Sequence, residues 1–276
     1  MELFVTDLDG TLINKDRQVT KKSEEIINEL IKSGMNFTVA TARTPATAVE
    51  ILQNLDLKLP VALMNGVLIY DTKELKYIDI KDINIESTYK ILDIFEKYNK
   101  NPLVYGIVDN HLWVYHKEFE HAYEYNFYKE RADKELKTFV KISNYKESVL
   151  KSSIINFVAF DEYEKIKSIA EEIEKIEGIN VNYYKDVYED CYFLEAYSSE
   201  ASKANGIKYL SKYINYKNVI CFGDNLNDIP MFELADECYA TANAVESVKE
   251  MSTDVIGSCD ADGVALFMEK KLKVKS

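Results

Sequence analysis

The chain has 276 residues, 47% of them hydrophobic, enough to bury the cores of two ordinary domains; a charged fraction of 29% argues against wholesale disorder. Its net charge of -13 excludes the usual electrostatic grip on nucleic acid or an anionic membrane, because both reward cationic surfaces. No apolar run approaches the roughly 20 residues of a membrane span, and the opening stretch is broken at Asp7 with no basic segment ahead of it, unlike a signal peptide.

In chain order, Leu3 to Thr6 reads as a strand that ends on Asp7 and Asp9, with Gly10 next. Thr20 is placed to cap a helix whose Ile26, Ile27, Leu30 and Ile31 share one face, and Gly34 suits the position just past its end. Asn36 to Thr41 is strand-like again. Thr44 and Pro45 form a cap and first-turn pair that opens a helix through Leu55, and Val61 to Met64 is a third apolar run closed by Asn65-Gly66. Strands alternating with helices of this length predict a parallel sheet with helices on its faces.

From about Asp82 to Ala196 the pattern changes, and this stretch holds 13 of the 20 tyrosines. Ile154 to Phe160 reads as a strand. Asp161 with Glu164 forms a capping pattern for a helix bearing Ile166, Ile169, Ala170, Ile173 and Ile176, with Gly178 ending it. Val181 to Tyr184 and Tyr192 to Glu195 suit further strands. Beyond this stretch the first style returns: Ile207, Leu210 and Ile214 mark a helix face, and Asn218 to Phe222 is a buried strand followed by GDNLND. Glu237 to Thr241 is a weaker strand, and Val245 to Met251 a short helix. The prediction is an α/β fold: a doubly wound parallel-sheet core from residues 1–82 and 197–276, with an α+β domain inserted at 83–196.

Four sites carry the chemistry, each just past an apolar strand: Asp7 with Asp9, Thr41 with Arg43, Asn65-Gly66, and Asp224 with Asn227 and Asp228. In open parallel sheets ligands bind at the carboxyl ends of the strands, so these residues would meet in one crevice. Two carboxylates about 4 Å apart repel by about 4 kcal/mol at an effective dielectric of roughly 20, so the aspartates need a counter-charge. Hard oxygen donors with no organised His or Cys favour Mg2+, often shared with a substrate phosphate. Lys203, Thr41 and Arg43 add donors suited to that phosphate. His111, His116 and His121 are spaced by five, which suits neither a strand face nor a helix face, so they do not read as a metal site. Cys191, Cys221, Cys238 and Cys259 form no zinc-like pattern and read as reduced thiols of a cytoplasmic protein.

DLDGTL resembles the DxDGT signature of the haloacid dehalogenase-like hydrolases, with Thr41, Lys203 and GDNLND fitting their second, third and fourth motifs. Asn65-Gly66, the large insertion and the closing DADGV at 260–264 are similar to the Cof-type subfamily, class IIB. The resemblance spans essentially the whole chain. It implies that Asp7 attacks phosphorus to give an aspartyl phosphate, and that Asp9 moves protons. It further implies Mg2+ held by Asp7, the Asp9 backbone carbonyl and Asp224, with Asp228 orienting that shell. Thr41 and Lys203 would bind the phosphoryl group, and Asn227 would contact Lys203 or the phosphate. The chain departs from the usual pattern at Ala42, Ala204 and Ala242, none of which removes a catalytic group. The implied protein is a phosphatase, monomeric or homodimeric, for a small phosphorylated metabolite such as a sugar phosphate or a phosphorylated cofactor, with the insertion acting as a cap. Two other readings stay open: a phosphosugar mutase of the same fold, whose cap would need a basic cluster not evident in the sequence, and a non-catalytic phospholigand sensor. Asn243 is equally readable as a structural turn or a site contact.

Overall fold

The computed structural model describes residues 1–185 and 190–273. The chain divides into two compact units, Met1–Asp79 with Ser202–Ser276, and Ile80–Ala201. The divisions lie three residues earlier and five later than the sequence pattern suggests.

The first unit is built on a five-stranded sheet in the order Asp254–Ile256, Glu237–Thr241, Asn218–Gly223, Glu2–Thr6, Asn36–Val39. Every pairing is parallel. The strands are apolar on both faces, as helix-covered strands must be: Leu3, Val5, Ile220 and Phe222 are all buried. The Lys21–Lys32 helix starts where expected, with the Thr20 hydroxyl accepting from the Ser23 N–H at 3.1 Å. Val61–Leu63 does not simply extend the parallel sheet. It joins Ala40 through one bridge at Ala62, then turns into an antiparallel three-stranded ribbon with Leu68–Asp71 and Lys76–Ile80.

The second unit holds a six-stranded sheet in the order Ile179–Lys185, Tyr192–Ser198, Ser153–Asp161, Leu103–Val108, His111–His116, Lys137–Lys141. It is antiparallel except for its last pair. The Ile85–Lys97 and Tyr163–Ile173 helices cover one face, packing Ile91, Phe95, Ile166 and Ile169 onto Val104, Phe157 and Leu194. The short Ala122–Lys129 helix lies on the other face, where Phe127 meets Phe160 at 4.9 Å. The expected Asp161/Glu164 cap does not form. The Tyr163–Ile173 helix is capped at Glu162 without a side-chain bond, and the Asp161 carboxylate is committed to cations instead. It lies 3.3 Å from the ammonium of Lys100 and 3.0 Å from that of Lys165. Lys100, fully buried at its side chain, also binds Glu124 and, at 3.1 Å, Glu120.

Candidate active site

Because the five strands are parallel, their carboxyl ends share one edge. Glu2–Thr6 and Asn218–Gly223 are neighbours, with Thr6 opposite Phe222, so Asp7 and Asp224 emerge side by side. The Asp7 N–H donates to the Phe222 carbonyl at 3.0 Å, which extends the ladder one residue beyond the strand. Chain direction across the sheet also reverses beside Glu2–Thr6, the kind of switch point where open α/β sheets place ligands.

Lys203 is the centre of the site. It opens the Lys203–Tyr209 helix behind Ser202, whose hydroxyl accepts from the Asn205 N–H at 3.0 Å. Although only 1% exposed, its ammonium donates to Asp7 Oδ1 and Asp228 Oδ1, both at 2.6 Å. The other Asp228 oxygen accepts from the Asp224 and Asn225 N–H groups at 2.8 and 3.1 Å, so Asp228 braces both Lys203 and the turn carrying Asp224. Burial alone would pull the Lys203 ammonium down, but the Asp7 and Asp228 carboxylates outweigh it and hold it above the usual lysine range. The Asp7 carboxyl is lifted by burial and then by Asp228 and Asp224, with Lys203 opposing. Burial and Asp228 raise Asp224 to about 6, against a 3.2 Å hydrogen bond from the Thr11 hydroxyl.

Gly10 makes this crowding possible. Its φ of +75° belongs to glycine, and a Cβ there would lie 2.2 Å from Asp224 Oδ2. Its carbonyl accepts from the Thr241 hydroxyl at 3.1 Å and the Asn243 amide at 2.7 Å. Asn243 also accepts from the Cys259 N–H at 3.0 Å, so it joins the turn after Asp9 to the loop before the last helix. Sequence reasoning left Asn243 undecided, since nothing in the local pattern shows a bond spanning more than 200 residues.

Thr41 is fully buried and its hydroxyl accepts from the Arg43 N–H at 3.3 Å. Arg43 grips the exposed Asp9 carboxylate with two bonds of 2.7 and 2.6 Å. Asn65 and Gly66 form a left-handed turn, with φ of 55° and 88°. The missing Cβ at Gly66 admits the Ser202 carbonyl, which would otherwise lie 2.1 Å away, and so seats the start of the lysine helix. Asn227 meets Asn65 at 3.4 Å rather than Lys203, whose partners are the two aspartates. The three histidines lie in the second unit: His111 bonds Thr138, His116 bonds the Lys117 carbonyl and stacks on Phe119, and His121 sits 3.7 Å from Asp161 beside its lysines.

Asp7, Asp224 and Asp228 each offer an oxygen within 4.8 Å of the others. With all three carboxylates ionised, one ammonium leaves two negative charges; burial is the main cause of the raised Asp7 and Asp224 carboxyls, and the neighbouring carboxylates add to it. An all-oxygen set carrying this charge fits a hard divalent cation such as Mg2+.

The model of the haloacid dehalogenase-like hydrolases matches residues 4–268. The 5-amino-6-(5-phospho-D-ribitylamino)uracil phosphatase YwtE of Bacillus subtilis is 26% identical over 291 residues, covering 99% of this chain and 98% of its own. The pyridoxal phosphate phosphatase YbhA of Escherichia coli is 22% identical, with 98% of each chain covered. Among solved structures, the subclass IIB sugar phosphatase BT4131 shares the fold with a TM-score of 0.74 at 19% identity, over 99% of this chain and all of that one. With a family match over nearly its full length, and the aspartate–lysine crevice at the edge of a parallel sheet, the chain belongs to the haloacid dehalogenase-like hydrolases and is an enzyme of that family.

Proposed function

We propose that the enzyme is a Mg2+-dependent phosphatase that hydrolyses a small phosphorylated metabolite through an aspartyl phosphate on Asp7. The observation that carries this reading is Asp7 itself: a buried carboxylate at the end of an interior strand, aimed by the Lys203 ammonium at 2.6 Å. The relatives named as phosphatases support the same chemistry.

An Asp7 oxygen forms a bond to phosphorus as the bond from phosphorus to the leaving oxygen breaks. Asp9, once released from Arg43, takes a proton from solvent and gives it to that leaving oxygen. It then takes a proton from the water that attacks the aspartyl phosphate, freeing phosphate and restoring Asp7. Lys203 and the Thr41 hydroxyl hold the phosphoryl oxygens, and Arg43 is released to bind the same group. Asn65, Gly66 and Asn227 shape the rim. Asp7, the Asp9 backbone carbonyl and Asp224 would hold Mg2+, with Asp228 fixing the Asp224 turn. When bound, the cation offsets the repulsion between an anionic nucleophile and an anionic substrate.

Purified protein with an aryl phosphate tests the reading. Release of phosphate should require Mg2+, stop with EDTA, and fall by about a thousand-fold or more in Asp7→Asn. Near-normal turnover in that variant would rule out the aspartyl phosphate.

A further inference from the structure

Among its described residues, the second unit contains a buried lysine with no carboxylate partner. In the strand register Lys137 lies beside Leu112, and Leu112 beside Ile107. Their alternating neighbours Trp113 and Val140 pack against the core under the two long helices, so Lys137 and Phe139 occupy the opposite face of the sheet. There Lys137 is only 4% exposed. Its ammonium lies 5.1 Å from the centre of the Phe139 ring, and among the described residues it has no carboxylate partner.

Among the described residues, the charges that act on it most strongly have the same sign. Burial, then Arg131 and Lys134, press the Lys137 ammonium down to about 8. Arg131 is anchored on the same face, 3.9 Å from the Phe127 ring, which itself packs on Phe160 and Phe193. The other buried lysines are matched: Lys203 by two carboxylates, Lys100 by three. An aromatic face compensates a desolvated ammonium only in part.

We infer that this face of the second unit is an anion site, with Lys137 and Arg131 as donors to a carboxylate or phosphate group. Arg131 also bonds the Glu130 carboxylate at 2.9 Å and the Phe127 carbonyl at 3.2 Å, and its five N–H groups leave donors for a further anion. Asn156, buried on the same face, donates its amide to the Glu195 carboxyl there, and among the described residues its amide oxygen has no hydrogen-bond partner, so that oxygen suits a ligand hydroxyl. Together they describe a hydroxylated molecule with an acidic end.

The site is tested on the full-length protein in EDTA, with sulfate as the probe and ionic strength held constant with chloride. Sulfate should raise the melting temperature of the wild type. Lys137→Met should melt higher than wild type without sulfate, because an unmatched buried cation is gone, and should lose the sulfate response. Arg131→Gln should weaken the response. A Lys137→Met protein that melts lower and still responds to sulfate would overturn the site.

Discussion

A buried ionisable side chain either meets its opposite charge inside the protein or shifts its protonation, and this chain does both. Lys203 follows the first course. Glu195, half-buried on the second unit's sheet, follows the second: burial lifts its carboxyl to about 7, with the Asn156 amide drawing it down. A carboxyl raised on folding contributes stability that is present below its unfolded pKa, near 4.5, and is lost as pH climbs through about 7. Between pH 4.5 and 7.5 the wild type should therefore lose stability that Glu195→Gln retains, up to about 3 kcal/mol if the site is fully dry. Urea midpoints of both proteins at the two pH values measure this, and parallel slopes would refute it. The aspartates and Lys203 were legible in the sequence because each follows an apolar strand or a cap. Lys137, Asn156 and Asn243 were not, because nothing in a linear pattern tells a buried polar residue from a solvated one.

At the scale of elements, the Lys100 cluster shows how a single charge holds several pieces together. Its ammonium draws in Glu120, Glu124 from the Ala122–Lys129 helix, and Asp161 from the end of the Ser153–Asp161 strand. Lys100→Met would leave Glu124 buried without its cation, while Asp161 keeps Lys165 at 3.0 Å, and should cost about 3 kcal/mol in chemical denaturation. A loss as small as that of an exposed pair would show that the cluster relaxes. Helices and strands with clean periodicity, such as Lys21–Lys32 and Asn218–Gly223, were readable from sequence alone. The strands Leu103–Val108, His111–His116 and Lys137–Lys141 were not. The first carries a bulge at Tyr105/Gly106, and the other two bring His or Lys to both ends, which hides the alternation. The ribbon from Leu68 to Ile80 was missed for a similar reason, since its outer strand, Lys76–Ile80, is only half-buried and carries Lys76 and Asp79.

At the scale of the molecule, the α/β core with an inserted α+β unit follows from the two styles of patterning, and the family match spans both. If the insertion chooses the substrate, exchanging residues 80–201 for those of a relative should reorder activity over a panel of phosphate esters while leaving the Mg2+ requirement in place. An unchanged order would place selection in the first unit. The Gly10 carbonyl carries a different consequence, one that concerns biosynthesis. Its two donors, Thr241 and Asn243, lie 231 and 233 residues further along the chain. At about 5–20 residues per second, roughly 10–50 s separate the emergence of Gly10 from that of the groups that fix its turn. The insertion is one continuous run and need not wait. A fragment of residues 80–201 should melt cooperatively by itself, whereas residues 1–79 alone should not, and a non-cooperative 80–201 fragment would refute this order. The ribosome would thus release residues 80–201 already folded, and the enzyme would become competent for chemistry only as its final strands arrive.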